Sequence, residues 1–394
     1  MRSLHILSPV APFPPLSGGT AHIMRTTRQL ARFYRLHFAA LANDPAQVRW
    51  GPLAELCAST HALRRGPARG RFFDPPAVRQ EYSAELHTYM NGGWAGDRPE
   101  IVQLEFTSMA QYARLACAAG ALVVCVAHNV GFLAQIRRAR LERERRLRAR
   151  RWLGALSLWL YELRALPHCH LVITLSDADK AALQRWLPHL PTEYVHSAID
   201  LDEWPVCFSA DASNEVLFVG NYLHPPNVEG ALWLAREVWP LVRQAQPNAR
   251  LTLAGRDPTP AIRALAAPDI RVPGAVDDLR ALYARAALVA APIFWGSGVR
   301  IKLLEALACG MPVVSTALAA EGIDLRHDQS ALFAEQADTF AAAIHRLLND
   351  QQLRSRLGAA GRAIAERDYS ANRIGEQLAA LYERQIELKP AALR

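Results

Sequence analysis

Short apolar runs, each closed by glycine, proline or a polar residue, alternate along the chain with stretches whose apolar positions recur three and four apart. That alternation predicts buried strands joined by amphipathic helices, the pattern of parallel α/β sheets. Residues 3–8 (SLHILS) form the first strand, and after a proline-rich turn Gly18-Gly19-Thr20 opens a helix to about Phe33. Strands near 35–41, Glu100–Leu104, Ala121–Val126 and Leu171–Leu175 follow, the last leading to Ser176-Asp177, which cap another helix. Between residues 40 and 100 the pattern gives little beyond loops and arginine-rich turns, among them Arg64-Arg65 and Arg69-Gly70-Arg71.

A second series begins after residues 203–213, which read as a linker. Val216–Gly220 (VLFVG) starts a new sheet, and Asn227 caps a helix to about Ala245. Strands at Arg250–Ala254, Ile270–Val272 and Ala287–Ala291 continue it, and helices near 337–348, 351–367 and 371–386 close the chain. The division predicts two Rossmann-like, doubly wound domains, residues 1–205 and 206–370, followed by a terminal helix in 371–394.

The densest chemistry lies in Ala291–Thr316, APIFWGSGVRIKLLEALACGMPVVST. It reads as a strand end, a turn through Gly296, Ser297 and Gly298, a helix stopped by Gly310 and Pro312, and a buried strand at Val313-Val314. Amides around Gly298 and Val299 at the helix start favour an anion, and Arg300 and Lys302 add full charges in the same turn. Glu305 lies among Leu303, Leu304, Ala306 and Leu307, where a carboxylate calls for a hydroxyl or cation partner. At ~1.5 Å per residue it stands about 12 Å from Ser297, roughly the span from a sugar across a diphosphate to a ribose.

Ligands of open α/β sheets bind outside the carboxyl ends of the strands. Glu105, His128 and Arg256 all sit at such ends. Glu105 there can orient a substrate, accept its proton, or pair with a nearby arginine. His128 can meet substrate or cap a turn, and Arg256 can approach a nucleotide. The pair Gly18-Gly19 reads either as backbone approaching a phosphate or sugar, or as a tight turn.

With 394 residues, the chain fits two domains, and the 51% apolar content supplies two cores. No uncharged apolar run reaches the length of a membrane span, and the N-terminus lacks the cleavage signal of a secreted protein, so a cytoplasmic location is expected. The six cysteines are scattered without CxxC spacing and read as reduced core thiols. His168-Cys169-His170 alternates across a strand and cannot converge on one ion, and no carboxylate pair suggests a metal, so neither metal nor cofactor is expected. The net charge of +8 calls for an anionic partner, yet nothing resembling a nucleic-acid motif appears, so nucleic acid is not expected. The most basic stretch, Arg137–Arg151, runs into WLGALSLWLYELRAL. It reads as one long helix over 137–164, either with a solvated charged end or docked peripherally on an anionic membrane with its tryptophans at the interface.

The signature GSGVRIKLLEALACGMPVV resembles that of retaining, nucleotide-sugar-dependent glycosyltransferases of the GT-B fold, the family-four group, in its bacterial polysaccharide and exopolysaccharide branch. Glu305, Ala306, Gly310 and Pro312-Val313-Val314 match; the family's first glutamate is replaced by Ser297, so the sugar is not carried over from relatives. The resemblance implies two Rossmann-like domains facing an interdomain cleft, acceptor on the first and donor on the second, with the last helix bracing the first domain. It implies transfer of a sugar to a hydroxyl of a glycan or lipid-linked acceptor. His128 then meets the donor sugar, Glu305 holds the ribose, and the loop Glu321-Gly322 touches base or sugar. Relatives carry an arginine and a lysine after the strand matching VLFVG; here that loop begins at Asn221 and has neither, which makes Arg300 and Lys302 the replacement for gripping the diphosphate. A nucleotide-sugar 2-epimerase or a non-catalytic scaffold subunit would share this architecture.

Overall fold

The computed structural model describes residues 1–15, 17–70, 73–208, 214–296 and 298–388. The chain forms two compact units, Met1–Ala198 together with the helix from Ala371, and Ile199–Ser370.

The first unit is built on seven parallel strands: β1 (Ser3–Ser8), β2 (Arg35–Ala42), β3 (Ser59–Arg64), β4 (Ile101–Glu105), β5 (Leu122–Ala127), β6 (Leu171–Thr174) and β7 (Thr192–Tyr194). Their order is β3-β2-β1-β4-β5-β6-β7. Every residue of β1, β4, β5 and β6 is buried, as expected of strands covered on both faces, and β5 reads as a continuous apolar run. The edge strand β3 (STHALR) is only half-buried and carries no such run, so it was invisible to the apolar pattern.

Helix α1 (Gly18–Leu30) starts on a capping box: Ser17 Oγ accepts the Thr20 amide at 3.2 Å and Thr20 Oγ1 accepts the Ser17 amide at 2.9 Å. The expected single helix over 137–164 is instead two, α2 (Gly131–Leu141) and α3 (Arg145–Ala165), packed on each other. Glu142 leaves helical geometry at the break, and its carboxylate accepts Arg151 Nε at 3.0 Å across the turn. The physical reason is burial: Phe132 and Ile136 on one segment and Leu158 and Tyr161 on the other reach the same core, which a straight rod could not do.

The second unit holds β8 (Glu215–Val219), β9 (Arg250–Ala254), β10 (Ile270–Gly274), β11 (Leu288–Ala291), β12 (Val313–Ser315) and β13 (Leu332–Phe333), all parallel, in the order β10-β9-β8-β11-β12-β13. Successive residues Val216 and Leu217 face opposite layers, one packed with Trp239 and Phe340, the other with Leu304 and Tyr369. The helix expected to begin at Asn227 starts at Pro225 with His224 as its cap, because proline suits the first helical turn. Asn227 Nδ2 donates to the Asn221 carbonyl at 2.8 Å instead. Helix α4 (Ile301–Ala308) follows β11, and α5 (Ala371–Leu388) returns to the first unit, where Gly375 allows it to close on Gln29 of α1.

Candidate functional site

In each sheet the strand order reverses once, between β1 and β4 in the first unit and between β8 and β11 in the second. Ligands of doubly wound folds bind at that switch point, beyond the carboxyl ends of the flanking strands. The sequence-predicted residues follow the strands that flank the switch or the next strand out: Gly18 and Gly19 after β1, Glu105 ending β4 and His128 after β5; Asn221 after β8, Arg256 after β9, Gly298–Lys302 after β11 and Glu321-Gly322 after β12.

In the first unit Glu105 and His128 form one pair. His128 Nε2 lies 2.6 Å from Glu105 Oε2, with Glu105 fully buried and His128 nearly so. Glu105 therefore pairs with a histidine, not an arginine. The Phe106 ring stacks on the imidazole with centroids 4.0 Å apart, and Phe106 takes a left-handed φ of +68° to do it. Such strain in a non-glycine residue persists only where its surroundings enforce it. Gly19 has a packing role: a Cβ there would lie 2.9 Å from Phe106 Cζ and 3.5 Å from His128 Nδ1, so glycine lets the stacked rings meet the start of α1. His22, on α1, stands edge-on to His128 at 5.3 Å, and burial, with His128 and Arg25 nearby, keeps it neutral by holding its pKa well below the usual value. Phe106 and His22 could not be found from the sequence, since neither lies in a recognisable spacing with His128.

Beneath the pair, Glu162 of α3 ties both strand-end turns together. Its carboxylate accepts Thr107 Oγ1 at 2.9 Å and the amides of Gly131 and Phe132 at 3.0 and 3.5 Å. Burial raises its pKa to about 7, helped by the charge of Asp179, against the pull of those three donors. A carboxyl with a raised folded pKa favours its neutral form in the folded state. The stability it lends is complete below its unfolded pKa of about 4.5 and is lost as pH rises through about 7. In Glu162→Gln the amide oxygen keeps the Thr107 and Gly131 donors and nothing titrates. The unfolding free energy of wild type relative to that variant is expected to drop by roughly 3 kcal/mol between those two limits, and chemical denaturation across the range measures it.

In the second unit α4 begins at Ile301 with Arg300 as its cap. The open first-turn amides are thus those of Ile301 and Lys302, three residues beyond the expected Gly298 and Val299. Gly296 and Gly298 both take positive φ, +122° and +77°, which only glycine adopts cheaply, while Ser297 lies outside the described residues. Arg300 folds back, its Nη1 donating to the Gly298 carbonyl. Glu305 is 3% exposed at its side chain and takes Lys302 as its cation, Nζ to Oε2 3.0 Å. Burial had demanded such a partner; the intrahelical spacing of three supplies it. Asn221 Oδ1 accepts the Leu223 amide at 3.0 Å, shaping its own turn. The Arg256 carbonyl accepts the Tyr222 amide at 3.0 Å, leaving its half-buried side chain at the same edge. The Glu321-Gly322 turn is pinned by Tyr369, whose hydroxyl donates to the Gly322 carbonyl at 3.1 Å.

His168, Cys169 and His170 do not converge: His168 Nε2 accepts Arg114 Nε, while His170 Nδ1 accepts the Val123 amide. Among the described residues no group of three His, Cys, Asp or Glu side chains is placed to hold a metal, and no helix is long and apolar enough to cross a membrane.

Residues 16–203 match the family Glycosyltransferase Family 4, and residues 213–350 match Glycosyl transferases group 1. Each unit thus matches a glycosyltransferase family over most of its length. Sucrose-phosphate synthase from Thermosynechococcus elongatus superposes with a TM-score of 0.78 over 99% of this chain and 100% of that one, at 18% identity. The Anabaena protein HepE, in complex with UDP and glucose, gives 0.71 over 98% and 100% at 15% identity. These likenesses establish the fold as GT-B. In sequence, the chain is 29% identical over 44% of its length to an uncharacterized 44.6 kDa protein in the cps region of Klebsiella pneumoniae. It is 33% identical over 43% of its length to a phosphatidyl-myo-inositol mannosyltransferase of Mycobacterium leprae. The chain covers less than half the length of these two relatives, 45% and 46%.

Proposed function

We propose that this protein transfers a hexose from a nucleotide-diphosphate sugar to a hydroxyl of a glycan or lipid-linked acceptor, with retention of anomeric configuration, in polysaccharide assembly. The observation that carries the reading is the switch-point cluster of the second unit: a helix start with open amides, Arg300 over the glycine turn, and Lys302 set against buried Glu305. Open amides and cations suit the diphosphate, whose charge grows as the bond to the sugar breaks, and each well-aimed donor is typically worth a few kcal/mol to that step. Glu305 is an acceptor for the ribose hydroxyls. In the first unit, the His128–Glu105 pair is the candidate catalytic group, contacting the transferred sugar and aligning the incoming hydroxyl. The named substrates of relatives support a nucleotide sugar as donor, HepE having UDP and glucose bound and the mycobacterial relative being a mannosyltransferase that acts on a phosphatidyl-myo-inositol. A panel of UDP-, GDP- and ADP-sugars tests the reading. One nucleotide class is expected to raise the melting temperature, and nucleoside diphosphate is expected to be released only when an acceptor is added. Anomeric coupling constants of the product then report retention. A panel in which no nucleotide shifts the melting temperature would sink the proposal.

Helix α3 favours peripheral docking on the inner face of the membrane over a merely solvated charged end. Trp152, Leu153, Leu156 and Leu160 are exposed on it at helical spacing, and Arg145, Arg146, Arg148 and Arg150 are exposed in the preceding turns. An apolar stripe flanked by arginines fits an anionic lipid surface, each arginine contributing about 1 kcal/mol. Arg145→Glu/Arg146→Glu/Arg148→Glu is expected to weaken co-sedimentation with phosphatidylglycerol vesicles at least ~100-fold, and Leu153→Asp/Leu156→Asp to weaken it independently of salt. Undiminished sedimentation of both variants would leave the helix end simply solvated.

A further inference from the structure

A line of buried hydrogen bonds leads from the last helix to the histidine of the first unit. The Tyr382 hydroxyl of α5 lies 2.7 Å from Gln103 Oε1 on β4, Gln103 Nε2 lies 2.5 Å from Glu105 Oε1, and Glu105 Oε2 lies 2.6 Å from His128 Nε2. Tyr382 and Glu105 are fully buried, Gln103 is 1% exposed and His128 8%. From these contacts we infer that Tyr382 and Gln103 are positioning residues that fix His128 in its Nε2–H tautomer, with the Nδ1 lone pair turned toward the start of α1.

The direction of donation follows from elementary chemistry. An ionised carboxylate only accepts, so Gln103 must present its amide nitrogen, not its oxygen, to Glu105. That leaves the amide oxygen for Tyr382, and a phenol in this setting stays protonated, since burial pushes its pKa well above the usual value. With Gln103 on one carboxylate oxygen, the other receives the N–H of His128. The second ring nitrogen, Nδ1, lies where a Cβ on Gly19 would be 3.5 Å away, so it faces the glycine turn at the switch point. The line also gives the buried Gln103 of β4 a partner for both ends of its amide: without Tyr382 the amide could flip, and a flipped amide would set an oxygen against the carboxylate. Helix α5 is held in place for this task by Tyr34, whose hydroxyl lies 3.2 Å from both the Ala379 carbonyl and Glu383 Oε1. Placing His128 at the reacting centre rests on the proposed function above; its tautomer does not.

The test is nitrogen NMR of the full-length protein labelled with 15N-histidine, without any ligand, the His128 signals being assigned by their disappearance in His128→Gln. The wild type is expected to show a protonated Nε2 and an unprotonated Nδ1. In Gln103→Leu and in Tyr382→Phe the Glu105 carboxylate is no longer held against the ring, so the two tautomers are expected to mix, with the Nε2–H form falling by at least about tenfold relative to the other, the shift that loss of the charge-assisted His128–Glu105 hydrogen bond produces. A wild-type His128 protonated on Nδ1, or a tautomer ratio unchanged in both variants, would overturn the inference. The wild-type spectrum decides even if a variant does not fold. A merely structural role for Tyr382 would lower the melting temperature and leave the tautomer signals where they are. Whether His128 takes part in transfer is judged separately by the activity of His128→Ala, so the two ideas fail independently.

Discussion

His128→Ala is expected to lower the turnover of sugar transfer by about 10²–10⁴-fold, the usual contribution of a positioned acid–base group, while leaving nucleotide affinity within about twofold of wild type. The nucleotide is assigned to Arg300, Lys302 and Glu305 of the second unit, and His128 belongs to the first. The variant carries a second consequence. Glu105, fully buried, would lose one of its two donors, a loss that typically costs about 1–3 kcal/mol of stability. Adding Glu105→Gln removes the stranded charge, so the double variant is expected to unfold at a higher denaturant concentration than His128→Ala alone and to remain inactive. Steady-state kinetics and denaturation of the three proteins measure both effects. Full activity in His128→Ala would remove the pair from the mechanism.

Glu305→Ala is expected to weaken nucleotide binding about 100-fold, or about 2.7 kcal/mol at ~1.4 kcal/mol per decade. Two losses combine. The carboxylate no longer accepts from the ribose hydroxyls, and Lys302, 3.0 Å from Glu305 Oε2, loses the partner that fixes its ammonium near the helix start. Titration calorimetry with UDP and with GDP reads the affinity. The Glu305→Gln variant, which keeps the shape of the buried side chain and drops only the charge, separates binding from folding and is expected to lose about tenfold. Equal affinities in wild type and Glu305→Ala would place the nucleotide elsewhere.

Much of the candidate site was legible before folding because its residues sit at the ends of recognisable strands. Glu105 closes an apolar run, His128 follows another, and the signature turn lies between a strand and a helix, so the rule that ligands gather beyond carboxyl strand ends placed them all on sheet edges. What those residues touch was not legible. Glu105 could orient a substrate, accept its proton or pair with an arginine, and it meets His128; Gly19 lies against two aromatic rings; Arg300 turns back on its own loop. The long basic helix proved to be two, since a periodic pattern says which faces are apolar but not when two segments must reach one core.

The sequence by itself determined two doubly wound sheets and the glycine turn that precedes the Glu305 helix, because strand and helix periodicity and glycine chemistry act over a few neighbouring residues. Only the tertiary structure decided which side chains meet at the His128 centre. Tyr382 reaches Gln103 across 279 residues of chain, and Phe106 reaches His128 through a backbone angle that no local preference favours. Contacts of that kind depend on how whole helices pack on a sheet, and packing is set by the summed burial of many residues rather than by any one of them.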